Sequence, residues 1–560
     1  MADPNPAPEP AWIPGPPAPH QGGDRRGVVI GVILAALMIG VALLAVISAS
    51  PIDKGPTVDP DRVGARPEQS DLVVAMGGPA SWDPVAIGDA TSAAVLSQTW
   101  EGLTALDADA QVRPALASSW EVLDGGRRIV FHLRDGIAFS DGTPIRGQDV
   151  VDSWMRAIDP AAPSPLAWLL GDITGVREYL AGTGARDAIG LHADDGTVTV
   201  DFRRPASFFP AVAASPTLAV VPAASRDRAG SPALPDGGLV VSGAYVPVSQ
   251  DAGSIHLEAN PHYWAGAPAI ERIAILTDTG GRSPVEVFQS GDADYVTVST
   301  DDATWLAYDR TLGPQLRRSD DLSVRYYGFD TTKAPFDDPR VRRAVAMAVD
   351  WDRLVRLEDP DAAVATSIVP AGIGLRGDGD FRPVHDPDAA RAELAAAGYP
   401  GGQGLPPITM ITSGTGTDAG LAADLERELG MTVEVETMPF GDYSERLSTD
   451  TPQIFSLDWI ADYPHPQDFL GLLLETGSSS NPGKWSDPAF DAMLEAAASS
   501  ADPAAQEAAY VAAQRIVQDQ APVIPLRYGD TWALSRDGLA GANQNGLGFL
   551  RLASLAWEDR

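Results

Sequence analysis

Short runs in which apolar and polar residues alternate are separated by turn signals. In "RRIVFHLRDGIAF" the alternation puts Ile129, Phe131 and Leu133 on one face and runs into an Asp-Gly turn, the pattern of a half-buried strand. "DGTVTVDF" repeats it with Val198, Val200 and Phe202. Elsewhere the period becomes helical. "DDPRVRRAVAMAV" sets Val341, Ala344, Val345 and Ala348 on one stripe, with Asp338 placed to cap and Pro339 in the first turn. "DPDAARAELAAAGYP" opens on Asp386-Pro387 and closes on Gly398, and two further helices are predicted to start at Asp487-Pro488 and Asp502-Pro503. The alternation of strand and helix, clearest after residue 405, predicts α/β lobes. There is no internal repeat.

One run breaks the pattern. A tail rich in proline and alanine (1–26), predicted to be disordered, ends on Arg25 and Arg26, and an uninterrupted apolar run (27–47) follows. A membrane-spanning helix needs about 20 such residues, and a signal-peptide core only about 7–15. The run therefore reads as a single-pass anchor in the cell membrane, oriented by the arginine pair with the tail in the cytoplasm. The alternative is a signal cleaved at "SAS" (48–50), which would release a secreted or periplasmic protein. Either way the chain beyond about Pro51 lies outside the membrane, first as a polar linker (48–70).

A chain of 560 residues exceeds one compact core, so two or more lobes are expected. A net charge of −36 argues against nucleic acid as a partner, because phosphates would be repelled, and otherwise reads as a device for solubility. With no cysteine, disulfides, thiolate nucleophiles, Cys-ligated zinc and iron–sulfur clusters are excluded as well. The histidines, His20, His132, His192, His256, His262, His385 and His465, show no metal-binding spacing, and neither a GxSxG elbow nor a P-loop occurs. "GTGTDAGLAADLERELG" after the strand-like "PITMIT" lacks the dinucleotide glycine spacing and reads as a plain βα turn. "RGDGDF" has two acids but not the remaining ligands of a calcium loop. No catalytic residue, metal or cofactor is expected.

The most unusual stretch is "DWIADYPHPQDFL", Asp458 to Leu470. It sets Asp462 between Trp459 and Tyr463 in a segment that Pro464 and Pro466 keep out of a helix. By itself this is either an acid capping a Pro-rich turn or a carboxylate held for a ligand between aromatic walls.

Several stretches, in order, resemble the large peptide- and nickel-type solute-binding proteins of bacterial ABC importers. They include "SWDPVAIGDA", "WEGLTALDADAQVRPALASSWEV", "FHLRDGIAFSDGTPIRGQDVVDSWMRAIDP", "SGAYVPV", "LEANPHYWAGAPAIERI", "YYGFDTTKAPFDDPRVRRAVAMAVDWDRLV", "AELAAAGYP", the Asp462 stretch and "APVIPLRY". The resemblance implies a two-lobed periplasmic-binding-protein-like fold of the large peptide-binding class, with an extra subdomain on lobe 1. Lobe 1 would span 71–269, lobe 2 270–526, and 527–560 would return to lobe 1. It also implies a binding protein, not an enzyme: a peptide is captured by hinge closure and delivered to an ABC permease with its ATPase subunits. By the same resemblance Asp462 meets the peptide α-amino group, Trp459 and Tyr463 wall it, the Gly88–Ala90 loop touches ligand main chain, and Trp168 and Tyr245 border the cleft. Two departures stand out. Ser456 occupies a position where some relatives carry a carboxylate-binding arginine, leaving Arg446 as a substitute, and His465 stands where an acid is frequent. The alternatives are the same fold binding a metal chelate, haem or oligosaccharide, or a tethered peptide sensor that does not transport.

Overall fold

The computed structural model describes residues 71–414 and 416–558. The expected tail, apolar segment and linker (1–26, 27–47 and 48–70) lie outside the described residues, among which no helix is long and apolar enough to cross a membrane.

The strands are, in chain order, β1 (Leu72–Ala75), β2 (Thr104–Leu106), β3 (Val112–Pro114), β4 (Ala117–Leu123), β5 (Arg128–Leu133) and β6 (Leu191–Ala193). Next come β7 (Thr197–Asp201), β8 (Tyr245–Gln250), β9 (Ser254–Ala259), β10 (Arg272–Leu276), β11 (Tyr295–Val298) and β12 (Leu316–Phe329). The last six are β13 (Ile408–Thr412), β14 (Val433–Thr437), β15 (Ile454–Ile460), β16 (Val523–Ser535), β17 (Leu539–Ala540) and β18 (Ala556–Trp557).

Ten of them form one sheet ordered β14-β13-β15-β12-β16-β11-β1-β10-β9-β8. One half is built around β1, which pairs parallel with β10 and β11; the other around β13, parallel to β14 and β15. Only the long antiparallel strands β12 and β16 belong to both. Their register breaks between Asp320 and Val324, so Leu316–Asp320 pair with Asp530–Leu534 on one side of the break and Val324–Gly328 with Val523–Tyr528 on the other. A bulge of this kind bends the strand that carries it. The two halves are therefore lobes, and the break marks a hinge. β10 and β11 stay with β1, so the first crossing runs along β12, well after the Ile270 expected; their parallel pairing with a strand about 200 residues earlier leaves no local trace in the sequence. The expected return at Leu526 falls within β16.

The subdomain of lobe 1 is a four-stranded sheet, β4-β5-β7-β6, covered by the helix Gly147–Ala157. Ile129, Phe131, Val198, Val200 and Phe202 are buried against it as predicted, while Leu133 is half-buried at the strand end. Phe209 sits edge-on to Trp154 and Phe202, with centroids 5.6 and 4.9 Å away. The subdomain also reaches lobe 2: Arg204 grips Glu475 with two bonds of 2.7 and 2.9 Å.

The predicted helix starts are met by capping. Asp338 accepts from the Arg340 amide at 2.9 Å, and Asp386 and Asp487 each accept from two amides, with proline next in every case. Each such cap stabilises its helix by about 0.5–2 kcal/mol.

Candidate ligand-binding site

β15 delivers Trp459 to the cleft, and the chain then turns through 461–465 into the helix Pro466–Leu474. That helix is capped by His465, whose Nδ1 accepts from the Gln467 amide at 3.2 Å; burial pushes the imidazole down to about 3, so it is neutral. The turn is tied to the hinge, because the Ala461 amide donates to the Leu322 carbonyl inside the β12 break at 2.9 Å.

Between the lobes lies a cavity of about 900 Å³. Gly88, Ala90 and Arg551 line it from lobe 1, and Phe440, Trp459 and Asp462 from lobe 2. Gly88 and Ala90 flank Asp89, which caps the helix Ala90–Thr99 through a 2.7 Å bond from the Ser92 amide, so that helix start faces the cleft.

Asp462 is half-buried in this wall, and its carboxylate forms no hydrogen bond or ion pair among the described residues. Burial without compensation pushes its pKa up to about 7. The other acids of the wall differ. Asp458 is held by Arg325 at 2.6 Å, and Glu101 accepts from the Tyr263 hydroxyl at 2.6 Å with Arg551 3.9 Å away. Of these three acids, Asp462 alone has no hydrogen bond or ion pair among the described residues.

Beneath it lies Asp468, fully buried, a residue that sequence reading passed over. Its Oδ2 accepts from the Trp459 indole N–H at 3.0 Å and the Asp462 amide at 3.3 Å, and burial together with the Asp462 charge raises its pKa well above the carboxylate range. The signal that could have found it is an acid in the first turn of the otherwise apolar "FLGLLL" helix.

Three expected roles change. Tyr463 touches the cavity, but its ring is buried and stacks on Phe208 of the subdomain with centroids 6.1 Å apart. Trp168 does not line the cavity; it packs on the subdomain core, and Leu166 takes its place in the wall. Tyr245 is fully buried, with its hydroxyl donating to the Ile270 carbonyl at 2.9 Å. Every second residue of a strand faces the core, and the side β8 turns to the cleft depends on its pairing. Tyr245→Phe should cost about 1 kcal/mol of stability in denaturant titration and leave ligand affinity unchanged; a tenfold loss of affinity would return Tyr245 to the site. Arg446 pairs with Asp450 at 3.5 Å away from the cavity, whose walls hold the cations Lys484 and Arg551.

Two lobes on paired crossing strands, with a cleft that presents an unpaired acid, define a hinged solute-binding protein. Residues 111–481 match the model of bacterial extracellular solute-binding proteins, family 5 (middle), and the chain belongs to that family. It is a binding protein of the extracytoplasmic space, in a family of binders and not of enzymes. Among its relatives, it is 29% identical to the probable deoxycholate-binding periplasmic protein YgiS of Escherichia coli, over 87% of this chain and 92% of that one. It is 28% identical to the periplasmic oligopeptide-binding protein OppA of Escherichia coli, over 90% and 93%. The unliganded open form of the murein tripeptide-binding protein MppA superposes with a TM-score of 0.78 at 26% identity, covering 88% of this chain and 98% of that one. Another structure of MppA, from Escherichia coli, gives 0.66.

Proposed function

We propose that the chain captures peptides outside the membrane through their α-amino group at Asp462 and hands them to an ABC permease with its ATPase subunits. The observation that carries this reading is the Asp462 carboxylate, half-buried in the cavity wall with no partner among the described residues. When the lobes close and water leaves, an ammonium meeting it makes a charge-assisted hydrogen bond, stronger than a neutral one. Trp459, fixed by its bond to Asp468, supplies a rigid wall, and the loop carrying Gly88 and Ala90 offers main chain from the other lobe. Relatives named for oligopeptides fit this reading. An anionic amphiphile such as deoxycholate would be repelled by an unpaired carboxylate, and an anionic metal chelate has no need of one.

We further propose that the run 27–47 tethers the protein in the membrane, on the strength of its length and of Arg25 and Arg26. A protein released from membranes by alkaline carbonate would refute the tether.

The test of the ligand is a thermal-shift panel on refolded protein, stripped of carried solute. It pairs di- to hexapeptides with their N-acetylated forms and adds sugars, haem and metal chelates. A ligand that binds only the folded state raises the melting temperature with occupancy. Free-amine peptides should stabilise and their acetylated forms should not. Stabilisation by another class alone would discard the peptide.

A further inference from the structure

Asp468 is the third residue of its helix and is 0% exposed. Oδ2 holds two donors, the Trp459 indole and the Asp462 amide, and the Tyr463 amide also faces the carboxyl, while Oδ1 is buried with no hydrogen-bond partner among the described residues. The three donors favour the ionised form, and burial with the Asp462 charge outweighs them. No arginine, lysine or histidine pairs with it among the described residues. The groups that face this region from every packed element offer no positive charge. They are Asp462, Tyr463 and neutral His465 of the loop, Trp459 of β15, and Tyr510 of the helix Pro503–Gln520, whose hydroxyl donates to Gln467 at 3.4 Å. Asp172 of the subdomain adds negative potential, and its own cations, Arg203 and Arg204, are spent on it at 3.1 and 2.8 Å. The helix N-terminus favours an anion, but a dry carboxylate with an unpaired oxygen and a second carboxylate beside it is held neutral by a larger effect.

We propose that Asp468 is a positioning residue that keeps its proton, so that the two-acid site meets its ligand with the single charge of Asp462. This rests on the reading of Asp462 as the ligand acid. The neutral carboxyl fixes the Trp459 ring and the Asp462 backbone without adding a charge. The site then suits one ammonium group and not a divalent cation, which would draw both carboxylates into ionised form.

The test compares the wild-type full chain with Asp468→Asn, which keeps shape and an accepting oxygen, and with Asp468→Ala. The probe is trialanine. In the ligand-free protein at about pH 8.5, above the Asp462 midpoint, infrared difference spectra should show a protonated-carboxyl band that persists in Asp462→Asn and vanishes in Asp468→Asn. The dissociation constant of Asp468→Asn should stay within about threefold of wild type, with the same pH midpoint, whereas Asp468→Ala should bind about tenfold or more weakly at every pH. Absence of the Asp468 band would overturn the proposal. So would a midpoint at least about one pH unit lower in Asp468→Asn, the mark of a removed negative charge. Should Asp468→Ala fail to fold, the Asn variant and the spectrum decide alone. If trialanine does not bind wild type, a free-amine peptide that stabilises the protein in the thermal-shift panel replaces it; if none does, the peptide reading falls, and the band still decides the proton.

Discussion

Asp462→Asn should weaken the binding of a free-amine tripeptide by about 2–5 kcal/mol, the usual cost of removing one partner of a buried hydrogen-bonded charge pair. At 1.4 kcal/mol per decade that is a loss of about thirtyfold to a few thousandfold by titration calorimetry. The effect is large because nothing in the cleft can take over. Asp458 is engaged by Arg325 through both its oxygens, Glu101 is held by Tyr263 with Arg551 nearby, and Asp89 is committed to its helix cap. The N-acetylated tripeptide supplies the control: it lacks the ammonium, so its weak affinity should be the same for wild type and variant. Acetylation and substitution together should then cost no more than either alone, the non-additivity of two changes that remove one interaction. Equal affinity of both proteins for the free-amine peptide would strip Asp462 of its role.

How such a contact reaches the hinge is visible in the backbone. Leu322, inside the β12 break, accepts from Ala461 of the Asp462 loop and donates at 2.6 Å to Gly546 of the returning C-terminal chain. A Cβ on Gly546 would lie 2.4 Å from the Leu322 side chain, so any larger residue there would force that side chain to shift. One hinge residue therefore joins the lobe 2 loop that carries Asp462 to the lobe 1 segment that lines the opposite wall with Asn545, Leu547 and Phe549.

What the sequence made legible was local. Asp-Pro pairs marked the helix starts because a cap acts on the two or three amides that follow it. Alternation found Ile129, Phe131, Val198 and Val200, because the face of a strand is set by a period of two. Asp462 stood out because aromatics flank it and prolines hold its segment away from a helix. What depended on distant chain was not legible. The pairing of β10 and β11 with β1 moved the crossing away from Ile270, and the pairing of β8 with β9 turned Tyr245 into the core. Trp168 missed the cleft by two residues, Leu166 taking the wall. Asp468 was hidden for another reason: an acid in the first turn of a helix is so common that only its burial distinguishes it.

The substitution that removes binding should also stabilise the empty protein, and only above acid pH. In the fold the Asp462 carboxyl titrates at about 7, against an ordinary 3.8. The folded state thus holds a proton that the unfolded chain gives up earlier, and stability falls as pH rises through that window. Below about pH 4 both states are protonated and Asp462 behaves like the neutral asparagine; above about pH 7 the folded protein carries the full cost of an unpaired charge in the wall. Three pKa units correspond to about 4 kcal/mol, a ceiling that water in the open cleft reduces to about 2–3 kcal/mol. Calorimetric scans of the ligand-free proteins should therefore coincide near pH 4 and separate by a few degrees near pH 8, with Asp462→Asn the more stable. Saturating free-amine peptide should reverse the order at pH 8, since the ammonium supplies the charge the carboxylate lacks. The same titration makes wild-type affinity fall about tenfold per pH unit below 7, because the ammonium then has to displace a proton from Asp462. Scans of the two empty proteins that coincide near pH 8 would mean that Asp462 is paid for elsewhere in the fold and is not the charge left open for a ligand.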